Sequence, residues 1–290
     1  NPYLGAHIYG DPTFAFAPGE EITFDVNEAI YKNNKFWKKQ LKNAPVAIKC
    51  FAMEMLVKNK GITSEELLEI FKTSPENTVR LVAFMMLTTF KDDNFVEAIT
   101  LALNDSYEIV QRFGAVYAGK CGDERIIPAL VSAFSRIANG SRVDFQLRGA
   151  VEMFPHEKVV AEFIKQDPCK NYYDKEKQVA RIMAAFDRYN NTLLENELDL
   201  PEATIKEKTN MVRNFRNKNL HTVTDKLIQM FQEESNEDFR FTIIEAFGWF
   251  NYSYKRNELA DFCEQVWASD AYSNKIRNEA LKTAKRLRGI

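Results

Sequence analysis

VQRFGAVYAGKCGDERIIPALVSAF, from Val110 to Phe134, contains an apolar stripe, a glycine–aspartate break and a second apolar stripe. Val110, Gly114, Tyr117, Ala118 and Cys121 recur at helical spacing and so share one face of a helix. Gly122 supplies the positive φ that closes such a helix, and Asp123 supplies a side chain that caps the next. Ile127, Leu130, Val131 and Phe134 form the stripe of that second helix, with Pro128 early enough to be tolerated near its first turn. The unit is a helical hairpin. It is too small to bury both stripes alone, so it predicts neighbours of its own kind.

Those neighbours are present. VRLVAFMMLTTFKDD sets Val79 on Val110, Ala83 on Gly114, Leu87 on Ala118 and Asp92 on Asp123. Upstream, IKCFAMEMLVKNKG places Ile48, Ala52 and Leu56 on the same apolar or small positions. Downstream, FQLRGAVEMF gives Phe145, Gly149 and Met153, and VARIMAAFDR gives Val179, Met183 and a poorly matched Asp187. FRFTIIEAFGWF supplies Phe239, Ile243 and Phe247, and IRNEALKTAKRL supplies Ile276, Ala280 and Ala284. The better units recur every roughly 31–37 residues, the period of stacked helical repeats. Capping chemistry agrees: Thr63 with Glu66 reads as a capping box, and Ser74 before Pro75 and Glu76 reads as an N-cap.

The segments VRLVAFMML…DD and VQRFGAVYAGKCGDERIIPAL resemble HEAT repeats of the short bacterial kind related to phycobilisome-lyase-like repeats. Val110, Gly114, Gly122, Asp123, Ile127, Pro128 and Leu130 carry the likeness. It spans Pro45 to Ile290, is strongest over Pro75 to Ala138, and fades between Tyr172 and Glu234. The resemblance implies an all-α, armadillo-like fold, a right-handed alpha-alpha solenoid of about seven to eight repeats occupying residues 44–290. It also implies a binding scaffold rather than a particular activity.

Residues 1–43 differ. GDPTFAFAPGEEITFDV reads as two short strands, Thr13–Ala17 and Glu21–Val26, about a Pro18-Gly19 turn. NEAIYKNNKFWKKQLKN reads as one helix with Ile30, Trp37 and Leu41 on a face. Together they make a cap over the first repeat. YGDPTF also resembles a segment near the end of the catalytic domain of gingipain-type cysteine peptidases, although no catalytic Cys/His pair accompanies it. On that resemblance the chain is the repeat region of a larger enzyme. Asn1, without an initiating Met, is read as a sign of processing or of a piece of a longer protein.

Composition narrows the functional classes. The 290 residues carry 39 Lys and Arg against 41 Asp and Glu, a net charge of −2 that argues against a dominant electrostatic grip on nucleic acid. No apolar run reaches the roughly 18–20 residues of a membrane span. Cys50, Cys121, Cys169 and Cys263 are scattered without a CxxC and are expected as buried thiols. His7, His156 and His221 are too far apart in sequence for a local metal motif, and His156 is expected to be exposed. Phosphate-loop, dinucleotide, nucleophile-elbow and zincin patterns do not occur. Acidic clusters such as Asp92-Asp93, or Glu195, Glu197 and Asp199, read as caps and solvated turns. Nothing calls for a catalytic residue, a cofactor or a metal.

Two aromatic-basic stretches remain. YKNNKFWKKQLKN surrounds Phe36 and Trp37 with Lys32, Lys35, Lys38, Lys39 and Lys42, and reads as an amphipathic helix with a solvated lysine face. FGWFNYSYKRNE crowds Trp249, Phe250, Tyr252, Tyr254, Lys255 and Arg256 into one turn. Trp, Tyr and Arg dominate binding hot spots, so these six are the candidate partner-binding residues for a protein or peptide. The alternative function is a HEAT-like DNA glycosylase or other DNA-binding repair protein. One packing prediction follows from the repeat alignment. Gly114→Leu should overpack a helix crossing and destabilise the fold by about 1–3 kcal/mol in chemical denaturation. An unchanged midpoint would mean that Gly114 does not face a neighbour.

Overall fold

Local capping sets the helix boundaries. Thr63 and Glu66 form the expected capping box, with Glu66 N donating to Thr63 Oγ1 at 3.2 Å and Thr63 N donating to Glu66 Oε2 at 3.0 Å. Gly122 ends its helix at φ 64°, and Asp123 accepts from Arg125 N at 3.0 Å to start the next turn. Asp92 does the same for Phe95 N at 3.1 Å. In two places the capping differs from expectation. Ser74 closes the helix before it, and Glu76, not Ser74, precedes the next. The helix expected over 27–43 is two, because Asn33 accepts from Phe36 N and begins a new one.

The computed structural model describes residues 28–137, 140–166, 182 and 203–290, and every regular element among them is helical. The strands expected at Thr13–Ala17 and Glu21–Val26 lie outside the described residues, as do Cys169, His7 and the Val179 unit except Ile182. The helices are α1 (Glu28–Tyr31), α2 (Asn34–Asn43), α3 (Val46–Lys58), α4 (Ser64–Thr73), α5 (Asn77–Leu87), α6 (Asp93–Ala102) and α7 (Glu108–Cys121). Then come α8 (Ile127–Arg136), α9 (Arg142–Val151) and α10 (His156–Gln166). After residue 203 follow α11 (Ile205–Lys218), α12 (Thr224–Glu233), α13 (Glu237–Phe247), α14 (Arg256–Ala268) and α15 (Asn274–Arg288).

Alternate helices touch. In one row α3 packs on α5, α5 on α7 and α7 on α9, and later α11 packs on α13 and α13 on α15. In the other row α4 packs on α6, α6 on α8 and α8 on α10. The aligned repeat positions Val79, Ala83, Leu87, Val110, Ala118, Phe239, Ile243, Phe247, Ile276, Ala280 and Ala284 are all buried. A Cβ added at Gly114 would stand 2.9 Å from Ala102 Cβ and 3.0 Å from Leu103 N, so a side chain there must displace α6. The Phe145 alignment is out of register. Phe145 is 49% exposed, and α9 buries Val143, Leu147, Ala150 and Val151 instead.

A recurring arginine explains the Val-Arg, Phe-Arg and Ile-Arg pairs near the start of α5, α13 and α15. Arg80 donates to the carbonyls of Ser74 (3.2 Å) and Pro75 (3.1 Å), Arg240 to Phe231 O (2.9 Å), and Arg277 to Trp267 O (2.9 Å). Each guanidinium thus reaches back to carbonyls at or just past the end of the preceding helix, where no backbone partner remains. Arg80 also grips Asp105 in a fork, Nε to Oδ2 and Nη2 to Oδ1 both at 2.8 Å, with both side chains nearly buried. Arg80→Leu should therefore leave a buried carboxylate unpaired and cost about 3 kcal/mol in chemical denaturation. Adding Asp105→Asn should recover part of the loss. A single-variant loss no larger than that of an ordinary surface substitution would contradict the role of the fork.

Candidate functional site

The turn from Gly248 to Lys255 joins α13 to α14, and much of it packs against α6 and α7. Phe250 and Ser253 are fully buried. Tyr252 lies edge-on to Tyr117 (5.2 Å between centroids) and tilted against Phe95 (6.5 Å), which makes it part of the apolar cluster of the N-terminal helices. Tyr254 N donates to Cys121 O at 2.8 Å, and Arg256 Nη2 donates to Lys91 O at 2.5 Å. Lys255 is paired with Asp225 at 2.6 Å. Of the six residues singled out in the sequence, only Trp249 (54% exposed) and Tyr254 (50%) present large open rings. Phe250 serves the core, and Tyr252, Lys255 and Arg256 anchor the turn.

A second tie runs beside the first. His221, in the 3-10 turn His221–Val223, is fully buried and meets Gly119 O through Nε2 at 3.0 Å. A carbonyl can only accept, so Nε2 carries the proton and Nδ1 is left bare, with no hydrogen-bond partner among the described residues. Burial drives the imidazole pKa down from 6.5 to about 4, the Gly119 carbonyl opposes that shift, and Lys255 adds to it. The ring fills the space in which a Gly122 Cβ would lie 2.2 Å from His221 Cε1. Gly122 is therefore required twice, for its left-handed φ and for the missing Cβ.

These ties bring the end of α11 over α7 and α9 and frame a groove of about 390 Å³. Its floor is bare: Ala115, Val116, Gly119, Gly149 and Ala150. The floor is low because α7 and α9 nearly touch there, with a Gly119 Cβ falling 3.0 Å from Ala150 Cα. The rim carries Lys120, Gln146, Met153, Asn217, Lys218 and Asn219, with no carboxylate among the described residues. The Lys120 ammonium rests over Tyr117 (5.1 Å) and Tyr252 (5.5 Å), and burial alone lowers its pKa. No carboxylate among the described residues offsets that burial. Asn219 Nδ2 is buried without a hydrogen-bond partner among the described residues.

Cations continue on either side. Lys91 stands over the Tyr252 ring at 4.8 Å, its pKa lowered by burial and by Arg256. Arg216 and Arg286 both lie against Trp249, at 5.7 and 5.8 Å from its ring. Met153 marks the boundary to a second cleft of opposite character, lined by Glu124, Glu152, Glu157 and Asp225 beside His156 and Lys255. His156 is exposed, as expected, with Nε2 3.7 Å from the buried Glu152 carboxylate. Cys50, Cys121 and Cys263 are buried free thiols, their pKa pushed up by burial to about 12, 11 and 12. Among the described residues no group of three His, Cys, Asp or Glu side chains is placed to hold a metal. Likewise, no helix is long and apolar enough to cross a membrane.

Lys91, Lys120, Arg216, His221 and Arg286 were not singled out from the sequence. Lys120 sits inside the opening stretch but reads there as a polar residue between two buried ones, and His221 has no local motif. Only tertiary packing across large sequence separations brings them together. In comparisons with known proteins, no family model and no curated sequence matches the chain.

The buried imidazole predicts a pH dependence. Folded His221 stays neutral down to about pH 4, whereas the unfolded chain takes up a proton below about 6.5. Its contribution is therefore complete above pH 6.5 and is lost as pH falls toward 4, by about 3 kcal/mol in all. Relative to His221→Gln, the protein's stability in urea should decline across that window. A constant difference between the two proteins would contradict the neutral, donor-Nε2 assignment.

Proposed function

We propose that the chain is a non-catalytic scaffold, a right-handed alpha-alpha solenoid of about seven to eight HEAT-like repeats. In this reading the odd-numbered helices offer their surface to a protein or peptide. The observation that carries it is Trp249, more than half exposed and flanked by the guanidinium groups of Arg216 and Arg286. Trp and Arg are the residue types that concentrate binding energy at protein interfaces. The alternate packing of odd and even helices and the recurring reach-back arginine support the repeat architecture. Trp37, fully buried where α2 packs on α3, supports the segment before residue 44 as a cap.

The DNA-binding alternative draws on the same groups, since arginines and an indole also suit phosphates and stacked bases. The neighbouring carboxylates of Glu124, Glu152, Glu157 and Asp225 would repel an extended polyanion and favour the protein partner. Immobilised protein should enrich a defined protein from extract, and Trp249→Ala should lose it with an unchanged melting temperature. Capture that is indifferent to Trp249, or preferential retention of duplex DNA with a steep salt dependence, would overturn the proposal.

A further inference from the structure

We propose that the groove between α7, α9 and the end of α11 binds an acidic side chain of an extended peptide, with Lys120 taking the carboxylate. This deepens the scaffold reading and rests on it. Three observations carry it. Lys120 is a half-buried ammonium supported by the faces of Tyr117 and Tyr252, with no carboxylate to offset its burial among the described residues. An ammonium held out of water in that way gains most from a ligand that brings the missing charge. The groove is also open where a side chain would otherwise fill it. Among the described residues a Cβ added at Gly149 meets nothing within 4 Å, although Gly119 beside it is packed hard against Ala150. The bare floor suits the aliphatic part of a side chain. Finally, the rim also supplies amides. Gln146 and Asn217 can pair with a peptide backbone, and Asn219 Nδ2 stands buried without an acceptor among the described residues.

Charge complementarity selects the occupant. Among the described residues the groove holds no acidic residue, whereas the adjoining cleft holds Glu124, Glu152, Glu157 and Asp225. A ligand with one carboxylate at the groove is attracted. A polyanion long enough to run past Met153 meets that acidic cleft. A volume of about 390 Å³ also matches one or two side chains rather than a duplex.

The test uses the whole chain and three fluorescein-labelled probes: a serine–leucine peptide carrying a single glutamate, the same peptide with glutamine in its place, and a DNA duplex. Fluorescence anisotropy should show binding of the glutamate peptide and at least roughly tenfold weaker binding of the glutamine peptide, as loss of a charge-assisted hydrogen bond implies. Gly149→Leu should abolish binding with unchanged circular dichroism and melting temperature. Lys120→Gln should weaken it roughly tenfold, and Lys120→Arg should retain most of it. No binding of the glutamate peptide, or equal binding of the two peptides, overturns the proposal. Binding that ignores both Gly149→Leu and Lys120→Gln overturns this site while leaving the scaffold reading intact. Preferential, salt-sensitive binding of the duplex would sink both.

Discussion

The last turn of α7 is the constraint on which the rest of the structure depends. A helix end leaves carbonyls that its own backbone cannot satisfy. Here Gly119 O is taken by His221, 102 positions later, and Cys121 O by the backbone of Tyr254. His221 could not approach if Gly122 had a side chain, because its ring occupies that space. The two apolar clusters are joined at the same place by an exchange of residues. Tyr252 packs into the cluster of the N-terminal helices, and Met153 packs against the cluster of the C-terminal ones.

The parts of the fold legible in the sequence were those written in local chemistry. The stripes of α7 and α8, the left-handed Gly122, the Asp123 cap and the Thr63 capping box all follow from spacing and side-chain type. The errors arose where two local signals competed. Ser74-Pro75 carried a start signal, but Ser74 already closed α4, and Asn33 could cap inside what read as one helix. The register Phe145, Gly149, Met153 is two residues late, since Val143, Leu147 and Val151 are the positions that face inward.

The candidate site was less legible, for a physical reason. An excess of aromatic residues in the turn after α13 was evident, but the sequence could not divide rings that dock from rings that face outward. Phe250 and Trp249 are adjacent, yet one is fully buried and the other more than half exposed. The groove beside them depends on what is missing among the described residues, a side chain at Gly149 and a carboxylate near Lys120. Such vacancies have no signature until distant helices have been brought together.

The two ties on α7 also bear on how the molecule would respond to force. In a stack with only neighbour-to-neighbour contacts, tension applied at the ends peels units away one after another. Here the contacts of Cys121, Gly119 and Lys91 with Tyr254, His221 and Arg256 join helices far apart in the sequence. Load entering through the first helices can pass from α7 directly to the start of α14, leaving the chain between them out of the force path. That enclosed portion includes α9 and α11, which form two walls of the groove, so the groove would keep its shape under strain until the clasp opened.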